Sequence, residues 1–389
     1  MASGRNSSYA KDNAALRQQY GVDPVFAWLT LILLALGLLM LYSASSAQSM
    51  YDTGYTSSTK YLEKQAICAL LGLGVMAVFS RIDPEFWHRL TWPVYITAIA
   101  LLLAVLVAGQ SVNGAKRWIN IGGLQFQPSE IGKFAVILAF SKLSCKFGTR
   151  TEEFRYGVLG FGLALMGILI PLALEKHLSA IMLTGMVAAV MMFISGTRLR
   201  WLAGAAGGAV IFVLVYITFM GYAGDRVTAW LHPEEDPSDT GYQILQSLYA
   251  IGSGGVFGMG LGKSRQKYLY LPFQYNDYIF AIVCEELGLL GALGIIALFA
   301  ALILRGYYIA LHARDRFSTI LAAGLTTLIA VQTALNLCVV TNILPSTGIS
   351  LPFFSYGGTA LAVNLGQMGI LLSISRQRNR AGIQEEFDQ

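Results

Sequence analysis

Charge is scarce in this chain. Asp, Glu, Lys and Arg make up 13% of its 389 residues, about half the roughly 25% of an ordinary soluble domain. That excludes a soluble globular protein. The net charge of +5 is scattered along the sequence, with no basic block interleaved with aromatics, so a nucleic-acid footprint is excluded as well. Cysteine is scarce too: Cys68, Cys145, Cys284 and Cys338 lie in or beside apolar stretches and form no close pair, so they read as small buried apolar residues. The four histidines, His88, His177, His232 and His312, are equally dispersed. No His/Cys/carboxylate spacing fits a metal site, and neither a structural metal nor an obligatory cofactor is expected. The first 23 residues carry Arg5, Lys11 and Arg17 but lack the charged, apolar and small-residue order of a cleaved signal.

What is abundant is apolar length. The chain is 55% hydrophobic, and its runs predict an all-α polytopic membrane protein with about ten spanning helices, at 24–46, 61–80, 89–109, 129–145, 155–174, 177–195, 199–222, 278–304, 318–341 and 355–375. With an even number, both ends share one side. Placing the N-terminus inside collects seventeen of the 27 Lys/Arg on that side, so the positive-inside rule makes both termini cytoplasmic. The expected organisation is a cytoplasmic tail (1–23), a membrane domain (24–375) and a second cytoplasmic tail (376–389). Segments 110–133, 174–177 and the long connection 223–277 between helices 7 and 8 then face outward. A connection of fifty-five residues usually carries function.

Asp277 closes that connection. It stands among aromatics in Tyr275-Asn276-Asp277-Tyr278-Ile279-Phe280, ahead of the uncharged run Leu287 to Leu304, eighteen residues long. A carboxylate there can serve as a base. It can equally be an Asx cap, because Asn-Asp before an apolar run is an ordinary helix start.

Four other constellations carry chemistry. In Gln127-Pro128-Ser129-Glu130-Ile131-Gly132-Lys133, Pro128 and Ser129 start a helix that puts Glu130 and Lys133 one turn apart. Lys133 then runs directly into Phe134-Ala135-Val136, and an ionisable residue entering the bilayer is a functional candidate. The plain alternative is an intrahelical pair worth about 0.2–0.5 kcal/mol. Arg117, in Asn113-Gly114-Ala115-Lys116-Arg117-Trp118-Ile119, supplies a second cation for an anionic headgroup. The turn Glu175-Lys176-His177 is short and ionisable, and a histidine in such a turn is ordinarily solvated. The stretch Leu344 to Gly358, with two prolines and three glycines, cannot form a continuous helix and must be buried or line a wet cavity. The run Gly252 to Ser264 ends in Gly-Lys-Ser, but Phe257 stands where a P-loop needs its first glycine. It reads as a hinge or a tight-packing turn. Together these elements suit a phosphorylated lipid, with tails in the bilayer and cations at its head, handled by an enzyme or a transporter.

Beyond that point the motifs resemble a known family. Asn113 to Ile119, Gln127-Pro-Ser-Glu130 with Lys133, Gly241-Tyr-Gln243, Ala250 to Gly255, Asn276-Asp277-Tyr-Ile-Phe-Ala281, Glu285-Glu-Leu-Gly288 and Leu351 to Gly358 are similar, in order, to the SEDS proteins of shape, elongation, division and sporulation. The Asn113 stretch resembles the division and sporulation branch more than the elongation branch. The resemblance implies a peptidoglycan glycosyltransferase of the bacterial cytoplasmic membrane that polymerises lipid II on its outer face. It also implies a class B penicillin-binding protein and other division proteins as partners. It makes Asp277 the catalytic residue and places Arg117, Glu130 and Lys133, with Gln127, Ser129 and Lys64, around the substrate. Three departures bear on it. Phe273 stands where a glutamate is common, Glu175-Lys176-His177 lacks the usual proline, and Lys64-Gln65 is a short match. A lipid II flippase and a non-catalytic division scaffold are the competing functions.

Overall fold

The computed structural model describes residues 21–387 apart from 113–114, 122–123, 205–206, 209–228 and 236–239. Helices dominate it: α1 (Pro24–Asp52), α2 (Lys60–Phe79), α3 (Pro84–Ala108), α4 (Pro128–Phe147), α5 (Phe161–Leu174), α6 (Leu178–Ile194), α7 (Thr240–Gly254), α8 (Ile279–Leu311), α9 (Arg316–Val340) and α10 (Gly358–Phe387). Seven helical segments among the described residues are long and apolar enough to cross a membrane, counting the extended segment Arg155–Leu174 as one, and Leu178–Ile194 is a shorter apolar helix. This is a multi-pass membrane protein.

At three of the expected spans the structure adds detail. The run 129–145 is a helix, α4, yet it carries Glu130, Lys133, Lys142 and Lys146 and is walled in by α3, α5, α6 and α9, with every residue from Gly132 to Ser141 buried. It is a central post shielded from lipid, which is how ionisable groups are tolerated at such depth. Most of the expected span 199–222 lies outside the described residues.

The expected helix 278–304 is two helices joined at a kink. Gly288 breaks it with φ 66° and ψ −168°, and a Cβ there would fall 2.3 Å from the Gly258 nitrogen, so only glycine fits. The buried first part, from Ile279, belongs to the protein interior. The apolar part that follows belongs to Ile279–Leu311, one of the segments long and apolar enough to cross a membrane.

Two elements were not expected. A three-stranded antiparallel sheet, β1 (Gln110–Val112), β2 (Ala115–Ile121) and β3 (Leu124–Phe126), lies between α3 and α4, with Gln110 opposite Trp118 and Asn120 opposite Gln125. Within the connection 223–277, α7 turns Ile244, Ser247 and Ala250 inward against α8, and Ser247 Oγ donates to the Val340 carbonyl over 2.9 Å. Buried positions three residues apart put one face of an amphipathic helix inward.

The glycine-rich run is neither a nucleotide loop nor a free hinge. Its backbone wraps two buried carboxylates from α8. Gly262 N and Ser264 N donate to Glu286 at 3.0 and 3.2 Å, and Arg265 N donates to Glu285 at 2.9 Å. Ser43 of α1 donates to Glu286 at 2.6 Å, and the buried Lys267 ammonium lies 3.3 Å from the same carboxylate. The N–H groups that would cradle a phosphate are thus spent on the protein's own anions, which excludes the nucleotide reading on geometry. Glu286 is paired with Lys267 and hydrogen-bonded, and Glu285 is held by hydrogen bonds from Ser264, Arg265 N and Gln266 N, as burial demands. The lattice fixes the segment leading into Asp277. At the other end of the bundle Asp23 caps α1, accepting from Phe26 N at 2.9 Å, and pairs with Arg305 of α8 at 2.8 Å.

Candidate active site

The sheet, the start of α4 and the α5–α6 turn form one cluster. Pro128 opens α4 with Ser129 and Glu130 in its first turn, and one turn on, Lys133 meets Glu130 at 2.8 Å with both side chains buried. At that depth the pair is no longer worth a few tenths of a kcal/mol: removing one partner of a buried pair costs about 3–5 kcal/mol. Arg117 on β2 donates through Nη2 to the Lys176 carbonyl, and Gln127 Nε2 lies 3.4 Å from His177 Nε2. The turn Glu175-Lys176-His177, expected to be solvated, is therefore the floor on which Arg117 and Gln127 converge. Both Glu175 and His177 are buried.

Burial raises the Glu175 carboxyl from 4.5 to about 8, with Arg117 opposing. Burial also lowers His177 from 6.5 to about 3, assisted by Arg117 and Lys133. At neutral pH Glu175 is then protonated and His177 neutral, so neither cancels the cations and the named groups retain a positive balance suited to an anionic headgroup.

The linkage has a definite sign. Glu175, raised in the folded state, contributes stability that is fully present below pH 4.5 and is lost as pH rises to about 8. His177, depressed, contributes stability that increases between about pH 3 and 6.5. Above pH 6.5 only the first effect remains. The purified wild type in detergent should therefore lose thermal stability from pH 6.5 to 8, and Glu175→Gln should flatten that loss. An unchanged slope in the variant would show that the carboxyl is ionised in the folded protein.

Asp277 is held on the far side of the same region. Tyr278, not Asp277, occupies the cap position of α8, and it makes no side-chain capping bond; the helix begins one residue later than the Asx-cap reading requires. The Asp277 carbonyl accepts from Asn336 Nδ2 of α9 at 2.8 Å, and the same amide donates to the Ile349 carbonyl at 2.7 Å. Ser355 Oγ donates to the Asn276 carbonyl at 2.6 Å, and Tyr356 N donates to the Tyr275 carbonyl at 2.9 Å. The irregular stretch 344–357 thus clamps residues 275–277 from one side. Gly348 sits at φ 71°, where a Cβ would lie 3.4 Å from Asp277 Oδ2; glycine suits both the backbone and the room beside the carboxylate. Ser179, at the start of α6, donates to the Thr347 carbonyl, so the loop against Asp277 and the turn against Arg117 are joined.

Next to the clamped segment opens a cavity of about 390 Å³ lined by Lys60, Tyr61, Lys64, Trp118, Asn120, Gln125, Tyr275, Asn276 and Tyr356, among others, with Asp277, Arg117, Glu130 and Lys133 outside the lining. Lys64 lies on this wall, as do the immediate neighbours of Asp277 and Arg117. Gln65 fixes the wall by donating to the Ser355 carbonyl at 3.2 Å and accepting from Gly357 N at 3.1 Å. Sequence reasoning singled out Asp277, Lys133, Glu130, Arg117, Gln127, Ser129 and Lys64. It missed Asn336, Gln65 and the tyrosines. Asn336 left a local trace, an amide that with Gln332 interrupts a largely apolar helix.

The family pattern described as "Cell cycle protein", FTSW_RODA_SPOVE, matches residues 24–380. A probable peptidoglycan glycosyltransferase FtsW of Geobacter sulfurreducens is 40% identical over 355 residues, covering 91% of this chain and 95% of that protein. The stage V sporulation protein E of Bacillus subtilis is 39% identical over 364 residues, covering 91% and 97%. Among solved structures, a chain from a peptidoglycan synthase complex, studied for its coordination of polymerization and crosslinking, superposes with TM-score 0.77 at 26% identity over 92% of this chain and 98% of that one. The rod shape determining protein RodA of Thermus thermophilus gives TM-score 0.68 at 25% identity over 92% and 97%.

Proposed function

This chain belongs to the FtsW/RodA/SpoVE family of cell cycle proteins, and from that membership we propose that Asp277 is its catalytic base in polymerising lipid II. It is a peptidoglycan glycosyltransferase, and it stands with the division and sporulation members, to which it is about 40% identical. The observation that carries the mechanism is the seating of Asp277 next to Asn276 of the cavity wall, with its carbonyl held by Asn336 and its carboxylate opposite a glycine.

The carboxylate takes the proton of the 4-hydroxyl of a terminal N-acetylglucosamine as that oxygen attacks C1 of an N-acetylmuramic acid. The C1–O bond to the polyprenyl pyrophosphate breaks, and its electron pair leaves with the phosphate. Lys133 and Arg117 stand where that negative charge develops, at no cost of reorganisation. Glu130 holds Lys133 in place, Gln127 and Ser129 set the start of α4, and Lys64 meets the substrate on the cavity wall. Direct displacement inverts C1 and gives a β-1,4 linkage.

The same reading places both termini in the cytoplasm, ten spans in the bacterial cytoplasmic membrane and the cavity on its outer face. It also pairs the chain with a class B penicillin-binding protein, consistent with its likeness to a chain of a synthase complex. Single cysteines at Thr56 or Ser238, in a cysteine-free background, should react with a membrane-impermeant maleimide on cells stripped of any outer barrier. Cysteines at Arg150 or Arg314 should not react. The reverse pattern would move the cavity to the wrong side of the membrane for wall synthesis.

A further inference from the structure

The cavity beside Asp277 has its own chemistry, distinct from that around Arg117 and Lys133. Three tyrosines from distant parts of the chain form one wall. Tyr61 and Tyr275 lie 4.6 Å apart between ring centroids, Tyr61 and Tyr356 5.0 Å edge to face, and Tyr275 and Tyr356 6.0 Å. Their hydroxyls are tied in too: Tyr61 donates to Asp52, and Tyr275 donates to Tyr61 over 3.4 Å. Such rings offer a rigid apolar face with polar edges. The same cavity is lined by Trp118 and by Asn120, Gln125 and Asn276. Aromatic rings together with a few amide side chains fit a ligand with apolar C–H faces and hydroxyl edges, which describes a pyranose.

Two ammonium groups complete the cavity. Lys60 is drawn to Asp52 at 3.8 Å. Lys64 is exposed and, among the described residues, has no hydrogen-bonding or ion-pair partner. A cation beside a sugar platform calls for an anion attached to that sugar. Arg117 and Lys133 are not part of this lining, so the region presents two cationic stations where one pyrophosphate would need only one.

Resting on the polymerase reading above, we propose that this cavity is the acceptor subsite, where Tyr61, Tyr275 and Tyr356 hold the sugars of an incoming polyprenyl-pyrophosphate saccharide and Lys64 pairs with its pyrophosphate. Both substrates of the reaction carry a pyrophosphate, but only one loses it. The departing one needs cations that stabilise developing charge, and Arg117 with Lys133 supply them. The retained one needs only to be held. The hydroxyl to be deprotonated belongs to the acceptor, and Asn276, the neighbour of Asp277, is in this cavity's wall.

Two analogues separate the stations. A lipid II carrying a non-cleavable methylene phosphonate in place of the anomeric oxygen can react only as acceptor, and a lipid II capped at the 4-hydroxyl can react only as donor. Their coupling to a single product is followed with one varied while the other is saturating, so that each apparent KM reports one station, alongside polymerisation of unmodified lipid II. Lys64→Met should weaken the acceptor-only analogue about ten- to a hundredfold, the range of one charge-assisted contact, with the donor-only analogue unchanged; Lys64→Arg should recover most of the loss. Tyr356→Ala should show the same selectivity and Tyr356→Phe, which keeps the ring, much less of it. Lys64 lies on an exposed helix face, so unfolding does not obscure the result, and a melting curve checks it. Equal weakening of both analogues, selective weakening of the donor, or no change in either would overturn the acceptor assignment. Failure of the wild type to polymerise lipid II would instead defeat the reading on which the assignment rests.

Discussion

Asp277→Asn is expected to give a protein that folds, inserts, binds lipid II and forms almost no glycan, even with its transpeptidase partner present. The substitution keeps the shape of the side chain. It also keeps the backbone carbonyl that Asn336 holds at 2.8 Å, and α8 does not lose its cap, because that position is Tyr278. What disappears is the only group in the proposed step that accepts the hydroxyl proton. Removing a general base typically costs 10²–10⁴-fold, so glycan formation should drop by about that factor while lipid II binding stays within about twofold. A scaffold would tolerate the change entirely. Near-normal glycan synthesis by this variant would sink the assignment of Asp277.

Lys133→Met should also abolish polymerisation, but its cost divides into two parts. The ammonium is buried against Glu130 at 2.8 Å. Taking it away strands a carboxylate in the interior at about 3–5 kcal/mol, so the single variant should be markedly less stable as well as inactive. Glu130→Gln combined with Lys133→Met removes both charges together. The double variant should regain much of the stability and none of the activity, which isolates the cation's role on the leaving pyrophosphate from its role in the fold. Lys133→Arg should retain part of the activity, since the charge persists while its geometry changes. Normal turnover by the double variant would reduce Lys133 and Glu130 to a structural pair.

Much of this site could be read from the sequence because its signals are local. Lys133 enters an apolar run with Glu130 one turn behind it, and Pro128 marks where that helix begins. Asp277 precedes a membrane-length run, and the irregular stretch from Leu344 announces itself by prolines and glycines that no helix accepts. What stayed hidden is what distance in sequence conceals. Arg117 meets the Lys176 carbonyl across 59 positions, and Tyr61, Tyr275 and Tyr356 come from three separate helix ends and loops. No periodicity links such residues. Burial of the Glu175 turn was equally invisible, since three ionisable residues between helices ordinarily face water.

The sheet was missed for a different reason. Asn113-Gly114 and Gly122-Gly123 fall between the strands in the sequence, and Asn-Gly between short β-prone runs is a hairpin signal. It was outweighed by the apolar helices on either side. The glycine run is a different case: Phe257 breaks the P-loop spacing of its Gly-Lys-Ser ending, yet its amides do bind anions, and those anions are Glu285 and Glu286 of the same chain.

The most direct test is incubation of the purified chain with labelled lipid II, with and without a class B penicillin-binding protein of its own organism, followed by electrophoresis of the products. The expected result is a ladder of long glycan that a β-1,4-specific muramidase digests, lost in Asp277→Asn. No glycan under any of these conditions, together with transfer of labelled lipid II across vesicles containing the protein, would contradict it and make the chain a transporter.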